Sequence, residues 1–246
     1  MTKIYAQFQL QALYAQGCSQ AALSLMSATD LTSWGNMIYN LDCTITCEAF
    51  DPSINNCVSF SHPWSTAPSN NIVRGMFGIV PLEKAFDKLQ IKPQTGSLSF
   101  AELTAPTIKG KVSVSVCTTR PGFAYFMETV TPANTTATVY VPISGAEHNT
   151  VLVDGVAVTA QAEDGWFVLD NIGSGVHTFQ VPQEAVIPGD VNADRTVDIR
   201  DLVSLKKAVV SQKFTAVGQA DVNGDGAVDA GDLTALRKML LGKEKA

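Results

Sequence analysis

At 246 residues the chain is long enough for more than one domain, and its 46% hydrophobic and 16% charged residues are ordinary for a soluble globular protein. A formal net charge of −6 argues against a nucleic acid as partner. No apolar run approaches the roughly eighteen residues of a membrane span, and the first twenty residues make no secretory signal, because Lys3 is their only basic residue and Gln7, Gln9, Gln11 and Gln16 interrupt any apolar core.

Residues 1–95 read as mainly helical. Ile4, Tyr5, Phe8, Ala12 and Ala15 recur at helical spacing, and Ser19 is placed to cap a second helix carrying Ala22, Leu23 and Met26. A third short helix starts near Asp30 or Thr32 and carries Trp34, Met37 and Ile38. From Asn40 to Asn71 the chain reads as a long loop rich in Asn, Ser, Pro and Cys, and loops of that length in a compact domain are commonly functional. Helical periodicity resumes around Ile72 to Ile79. The five cysteines (Cys18, Cys43, Cys47, Cys57 and Cys117) include no CxxC pair. Cys43 and Cys47 have no His near in sequence to complete a zinc set, so the cysteines read as buried or half-buried thiols, with one disulfide among Cys43, Cys47 and Cys57 left open.

From residue 96 to 182 the pattern changes to alternation. Lys111–Val116, Ala137–Val141, Gly165–Asp170 and Gly175–Val181 read as strands, and Asp154-Gly155 between two alternating apolar runs is a type I′ hairpin signal. About seven short strands of this kind make an all-β sandwich. His148 and His177 fall on it with no acid partner evident in sequence, which gives them a surface or packing role. Residues 183–188 form a short linker, and residues 189–246 form the last segment.

That segment holds a twelve-residue acidic loop twice, at Asp190–Asp201 and Asp221–Asp232, 31 residues apart, each followed by an apolar-periodic helix. Asp190, Asn192, Asp194, Asp198 and Asp201 fall at loop positions one, three, five, nine and twelve, as do Asp221, Asn223, Asp225, Asp229 and Asp232. Position seven adds the backbone carbonyls of Thr196 and Ala227. Such oxygen sets suit a Ca²⁺ that takes six to eight hard ligands, and two bound Ca²⁺ are expected. An ordinary EF-hand has a helix before the loop and Glu at position twelve; here Pro188-Gly189 precedes the first loop and both twelfth residues are Asp. The segment resembles a type I dockerin, the calcium-folded module that attaches bacterial plant-cell-wall enzymes to cohesin domains of a cellulosome scaffold. Arg195 departs from the pattern at loop position six, where the second copy has Gly226 and the turn is sharp. The resemblance places cohesin contacts at Ile199, Arg200, Lys206 and Lys207 in one copy and at Ala230, Gly231, Arg237 and Lys238 in the other. Because the two sets differ, one binding face is expected to dominate.

In the N-terminal part, Thr46-Cys-Glu48-Ala-Phe-Asp-Pro, then Ser61-His62-Pro-Trp64, then Arg74-Gly-Met-Phe-Gly-Ile79 bring a carboxylate, an imidazole and an indole into one stretch. Those groups suit acid–base chemistry and sugar binding. These motifs, with Phe86–Gln94 and Gly173–Val181, resemble the C-terminal end of the α/α-barrel catalytic domain and appended β-sandwich of bacterial α-L-rhamnosidases. The resemblance implies an inverting glycosidase in which Glu48 is the general base, His62 contacts the sugar and Trp64 lies beside it. In that family the general acid lies far upstream, and no residue of this chain matches it. Three or four helices also cannot build a barrel of about twelve.

The expected architecture is therefore multidomain α+β: partial α/α-barrel helices over 1–95, an all-β sandwich over 96–182, a linker over 183–188, and a small all-α dockerin with duplicated loop and helix over 189–246. The expected function is that of the C-terminal part of a cellulosomal α-L-rhamnosidase-like enzyme acting on plant cell-wall glycan. Such a protein works outside the cell, so a signal is expected on a longer parent. The alternative is a non-catalytic dockerin-bearing module that spaces or weakly binds carbohydrate.

Overall fold

A computed structural model describes residues 3–51, 59–143, 150–183, 187–192, 196–211 and 220–243. The chain divides into two compact units, Met1–Gln183 and Glu184–Ala246.

The first unit opens with helix α1 (Lys3–Ala15) and helix α2 (Ser19–Ser27). Helix α1 buries Ala6, Leu10 and Tyr14, one residue per turn, and exposes Tyr5 and Phe8. Its end is fixed by local chemistry. Gly17 adopts φ +70, the Cys18 amide donates to Leu13 O at 2.8 Å and the Gly17 amide donates to Tyr14 O at 3.1 Å, the paired bonds of a Schellman cap. Ser19 is the first residue of α2 rather than its cap, a correction to the sequence reading; Cys18 holds the cap position without a side-chain bond.

The expected third helix is a short wide turn over Asn36–Asn40, with Trp34 and Met37 buried and Ile38 exposed. The loop expected over residues 40–71 is broken by a helical turn at Pro63–Thr66 and by α3 (Ala67–Asn71), which continues into a wide turn over Ile72–Met76. Gly75 permits this packing, because a Cβ there would overlap the ring of Tyr14. Gly78, at φ +61, lies equally close to the backbone of Lys92. Phe77 is buried and Leu13 packs against the core, so of the three side chains Phe8, Leu13 and Phe77 only Phe8 is left exposed.

Eleven strands follow among the described residues, nine of them within residues 96–182, where about seven are expected. They are β1 (Val80–Pro81), β2 (Lys88–Ile91), β3 (Phe100–Thr107), β4 (Gly110–Cys117), β5 (Phe123–Thr131), β6 (Thr136–Pro142), β7 (Thr150–Val153), β8 (Val156–Thr159), β9 (Gln161–Glu163), β10 (Trp166–Ile172) and β11 (Gly175–Pro182). One sheet runs β1-β2-β6-β10-β9 and the other β3-β4-β5-β11-β7-β8. Strands β1 and β2 lie within the segment read as helical, yet β2 pairs in parallel with β6, placing Leu89 opposite Ala137 and Ile91 opposite Val139. All neighbours are otherwise antiparallel. Alternation puts Val112, Val114 and Val116 inward from one sheet, and Val139, Val141, Phe167 and Leu169 inward from the other, all in one apolar cluster. Asp154 and Gly155 both have positive φ, +52 and +79, as a type I′ turn requires, and Asp164-Gly165 repeats the device between β9 and β10.

The second unit contains α4 (Ile199–Ser211) and α5 (Ala230–Lys243). Its interior is small: Leu205, Ala220 and Leu236 are enclosed, with Val191, Val197, Leu202, Val209, Val222, Val228, Leu233 and Leu240 around them. Among the described residues, no helix is long and apolar enough to cross a membrane.

Candidate functional site

The carboxylate-bearing stretch is organised by two extended segments that meet. The Glu48 amide donates to Ser59 O at 2.8 Å, and the His62 amide donates to Thr46 O at 2.7 Å. The Thr46 hydroxyl returns a bond to His62 O at 2.8 Å. His62 precedes Pro63, which biases it to extended backbone; its φ of −137° and ψ of 123° are what this pairing needs. Behind the pair, the Ser65 hydroxyl donates to Cys47 O, and the Trp34 indole donates to Ser65 O at 2.8 Å. Trp34 meets Phe50 edge-on at 5.1 Å, and the Asn36 side-chain amide donates to Phe50 O at 2.8 Å. A buried scaffold thus holds both motifs.

On this scaffold Glu48 Oε2 accepts the Ser59 amide at 3.0 Å and stands 3.9 Å from His62 Nδ1, too far for a hydrogen bond between them. The His62 ring meets Trp64 edge-on at 4.5 Å, and Trp64 is 42% exposed. Carboxylate, imidazole and indole are therefore neighbours. The motifs carry two carboxylates, Glu48 and Asp51, and of these Glu48 is the one that stands beside His62. Arg74, in the wide turn over Ile72–Met76, is exposed. Residues 52–58, with Cys57, lie outside the described residues.

His177 does have an acid partner, contrary to the sequence reading. Its Nδ1 lies 2.8 Å from Asp154 Oδ2, and the Thr178 amide donates to Asp154 Oδ1 at 2.7 Å. Burial pushes the Asp154 carboxyl up, but the Thr178 amide and His177 outweigh it and leave the group below its ordinary range. The pair ties the β7–β8 hairpin to β11 and is structural. His148 lies outside the described residues.

In the second unit, the two loops share one bonding scheme. Asp201 Oδ1 accepts the amides of Val191 and Asn192 at 2.8 and 3.0 Å, and its Oδ2 accepts the Asp198 amide at 2.8 Å. Asp232 Oδ1 accepts Val222 and Asn223 at 2.8 and 3.1 Å, and its Oδ2 accepts Asp229 at 2.8 Å. Asp198 and Asp229 in turn accept the amides of Arg200 and Gly231, so each helix starts on a reciprocal capping box. Loop positions nine and twelve thus serve as helix caps as well as candidate ligands, a role that the spacing alone did not reveal.

In the second loop, Asp221 Oδ1 accepts the amides of Gly224 and Asp225, and its Oδ2 accepts that of Gly226. Gly224 and Gly226 have φ +74 and +85, which allow the turn. Among the described residues, no three His, Cys, Asp or Glu side chains converge into a metal cluster. The donor chemistry nevertheless fits a hard cation, since Asp221, Asn223, Asp225, Asp229, Asp232 and the Ala227 carbonyl offer only oxygens along one curled loop. In the first loop Asp194 lies outside the described residues. There the Arg200 guanidinium donates to Asp198 Oδ2 from Nε at 3.0 Å and from Nη2 at 2.8 Å, holding that carboxyl below its ordinary range. Ile199, Arg200, Lys206, Lys207, Ala230, Gly231, Arg237 and Lys238 are all exposed.

Comparison with known proteins gives two family matches. Residues 188–241 match the dockerin type I domain, and residues 78–153 match the bacterial α-L-rhamnosidase C-terminal domain. Among solved structures, an α-L-rhamnosidase from Dictyoglumus thermophilum is similar over 74% of this chain and 21% of its own, at 20% identity and a TM-score of 0.65. That of Streptomyces avermitilis, complexed with L-rhamnose, is similar over 70% of this chain and 17% of its own, at 27% identity and 0.58. That of Aspergillus terreus is similar over 70% and 18%, at 22% identity and 0.52. The chain thus spans about a fifth of the length of these enzymes. No curated protein matches it in sequence. The matches are those of the C-terminal part of an α-L-rhamnosidase followed by a type I dockerin.

Proposed function

We propose that this chain is the C-terminal part of a dockerin-bearing, α-L-rhamnosidase-like inverting glycoside hydrolase, with Glu48 as its general base. One observation carries the reading: the Glu48 carboxylate, fixed by the Ser59 amide, sits beside His62 and an exposed Trp64 just ahead of the segment that matches a rhamnosidase C-terminal domain. In this role Glu48 takes a proton from the water that attacks the anomeric carbon. A general acid about 6.5–9.5 Å away protonates the leaving oxygen from the opposite face. His62 binds sugar hydroxyls, and the Trp64 indole gives an apolar platform beside them.

The general acid belongs to an upstream barrel, so the 246-residue chain by itself is expected not to turn over an aryl α-L-rhamnoside. In an enzyme extended through that barrel, Glu48→Gln is expected to lower kcat by about 10²- to 10⁴-fold. Turnover by the 246-residue chain that Glu48→Gln abolishes would overturn the half-site assignment.

The tail is read as a calcium-folded dockerin that docks on a cohesin of an extracellular cellulosome scaffold. Asp190, Asn192, Asp194, Asp198, Asp201 and the Thr196 carbonyl would hold one Ca²⁺; Asp221, Asn223, Asp225, Asp229, Asp232 and the Ala227 carbonyl would hold the second. Bound calcium neutralises the clustered carboxylates and adds its binding free energy to folding. The exposed Ile199, Arg200, Lys206 and Lys207 form one partner face, and Ala230, Gly231, Arg237 and Lys238 the other. Cohesin titration of Ile199→Ala/Arg200→Ala against Ala230→Ser/Gly231→Ser tests the dominance of one face; equal losses would refute it.

A second reading, a non-catalytic module that spaces or weakly binds carbohydrate, rests on the lack of any residue in this chain that matches the family's general acid. The coding sequence upstream of Met1 separates the two. An in-frame barrel half with an acid and a signal supports the enzyme, and a nearby stop codon supports the module.

A further inference from the structure

We propose that Cys43 and Cys47 form a disulfide that fixes the loop from which Glu48 projects. Their sulfurs lie 3.2 Å apart. A bond of about 2.05 Å needs an approach of only about an ångström beyond this. The backbones on either side are already anchored: the Cys43 amide donates to Met37 O at 2.9 Å, and Cys47 O accepts the buried Ser65 hydroxyl. The bond therefore asks for side-chain adjustment, not for a rearranged chain. Cys47 is 1% exposed and Cys43 is half-buried. A cleft of about 460 Å³ lined by Leu41, Cys43, Ile45, Cys47, Asp51 and Phe60 opens onto the pair and gives a small oxidant access.

These positions define the order of the chemistry. The more accessible Cys43 thiolate attacks a small disulfide, forming a mixed disulfide and expelling one thiol. Cys47 loses its proton and attacks the Cys43 sulfur, forming the intramolecular S–S bond and expelling the second thiol. Two protein S–H bonds are lost, one S–S bond is gained, and the small disulfide is reduced to two thiols. Oxidising surroundings outside the cell favour the product.

The closed ring is short, so its effect falls on local geometry more than on global stability. Cys47 precedes Glu48, whose backbone and carboxylate both bond to Ser59. A cross-link here limits the rotation of Glu48 away from His62. Cys43 and Cys47 are positioning residues in this account, and its catalytic meaning rests on the function proposed above; the bond itself does not.

The test oxidises the purified 246-residue chain with oxidised glutathione near pH 8, then measures intact mass and maps peptides without reduction. The expected product is lighter by two hydrogens, carries a Cys43–Cys47 link, and forms equally well in a Cys57→Ser variant. Hydrogen exchange of peptides covering residues 44–51 and 59–66 is expected to slow several-fold on oxidation, and a Cys43→Ser variant is expected to lose that response. A wild-type chain that keeps both thiols, or links either of them only to Cys57, overturns the bond. A Cys43–Cys47 link without the exchange effect overturns the positioning role. Neither readout depends on rhamnosidase activity, so a failure of that assignment stays distinct.

Discussion

In the sandwich, Val112, Val114, Val116, Met127, Phe167 and Phe179 are fully enclosed between two sheets, and apolar surface does the closing. Among the described residues of 187–243, Leu205, Ala220 and Leu236 are the enclosed apolar side chains, and Asp190, Asp201 and Asp232 are buried with them. Buried carboxylates stabilise nothing unless their charge is compensated, here by three backbone amides each for Asp201 and Asp232. A unit of about sixty residues is small for independent folding, which is where a bound cation has most effect. The two regions differ in what encloses them, and that difference can be tested.

The largest expected effect follows directly. Chelation with EDTA is expected to abolish the thermal unfolding transition of residues 187–243 and leave the sandwich transition in place, as read by calorimetry; a tail transition indifferent to calcium would break the contrast. Next, Phe179→Ala is expected to destabilise the sandwich by about 3–5 kcal/mol through lost burial and a cavity. Denaturant titration should show the loss there while the calcium response of the tail is unchanged.

Asp232→Ala removes the acceptor of three amides at a helix start, at about 2–3 kcal/mol. Its effect should be confined to the tail, where circular dichroism reads helix content with and without calcium. The smallest change is Asp154→Ala in the β7–β8 hairpin, about 1 kcal/mol or less because the side chain is 47% exposed and solvent screens it. Its carboxyl titrates below the ordinary value of about 3.9. The contribution is therefore complete above that value and lost as pH falls through the lower folded-state value, so wild type and variant should converge in stability at the acid end of a pH series.

The same contrast explains what the sequence made legible. The Asp-Gly turn, the helix over residues 3–15 and the acidic loops are local, because each depends on φ, capping or spacing within a few residues. The inward face of α1 was not legible. Tyr5 and Phe8 carry bulky rings yet stay exposed, while Ala6, Leu10 and Tyr14 are buried, and Gly75 admits the Tyr14 ring at close range. Strand β5 escaped the alternation pattern because it reads Phe-Ala-Tyr-Phe-Met-Glu-Thr-Val-Thr, apolar on both faces over its first half. Strands β1 and β2 were hidden by their shortness and by the parallel pairing of β2 with distant β6.

By itself the sequence determined where helical periodicity gives way to strand alternation, the spacing of the oxygen-bearing side chains in the duplicated loops and the presence of Glu48, His62 and Trp64 in one stretch, because residue type and short-range spacing carry that information. Tertiary structure alone decided that Glu48 and Ser59 bond across eleven positions, that Asp154 meets His177 across twenty-three and that the Trp34 indole reaches Ser65 O across thirty-one. Those are contacts between side chains and backbones whose approach depends on how distant segments pack. No local preference encodes the distance between them.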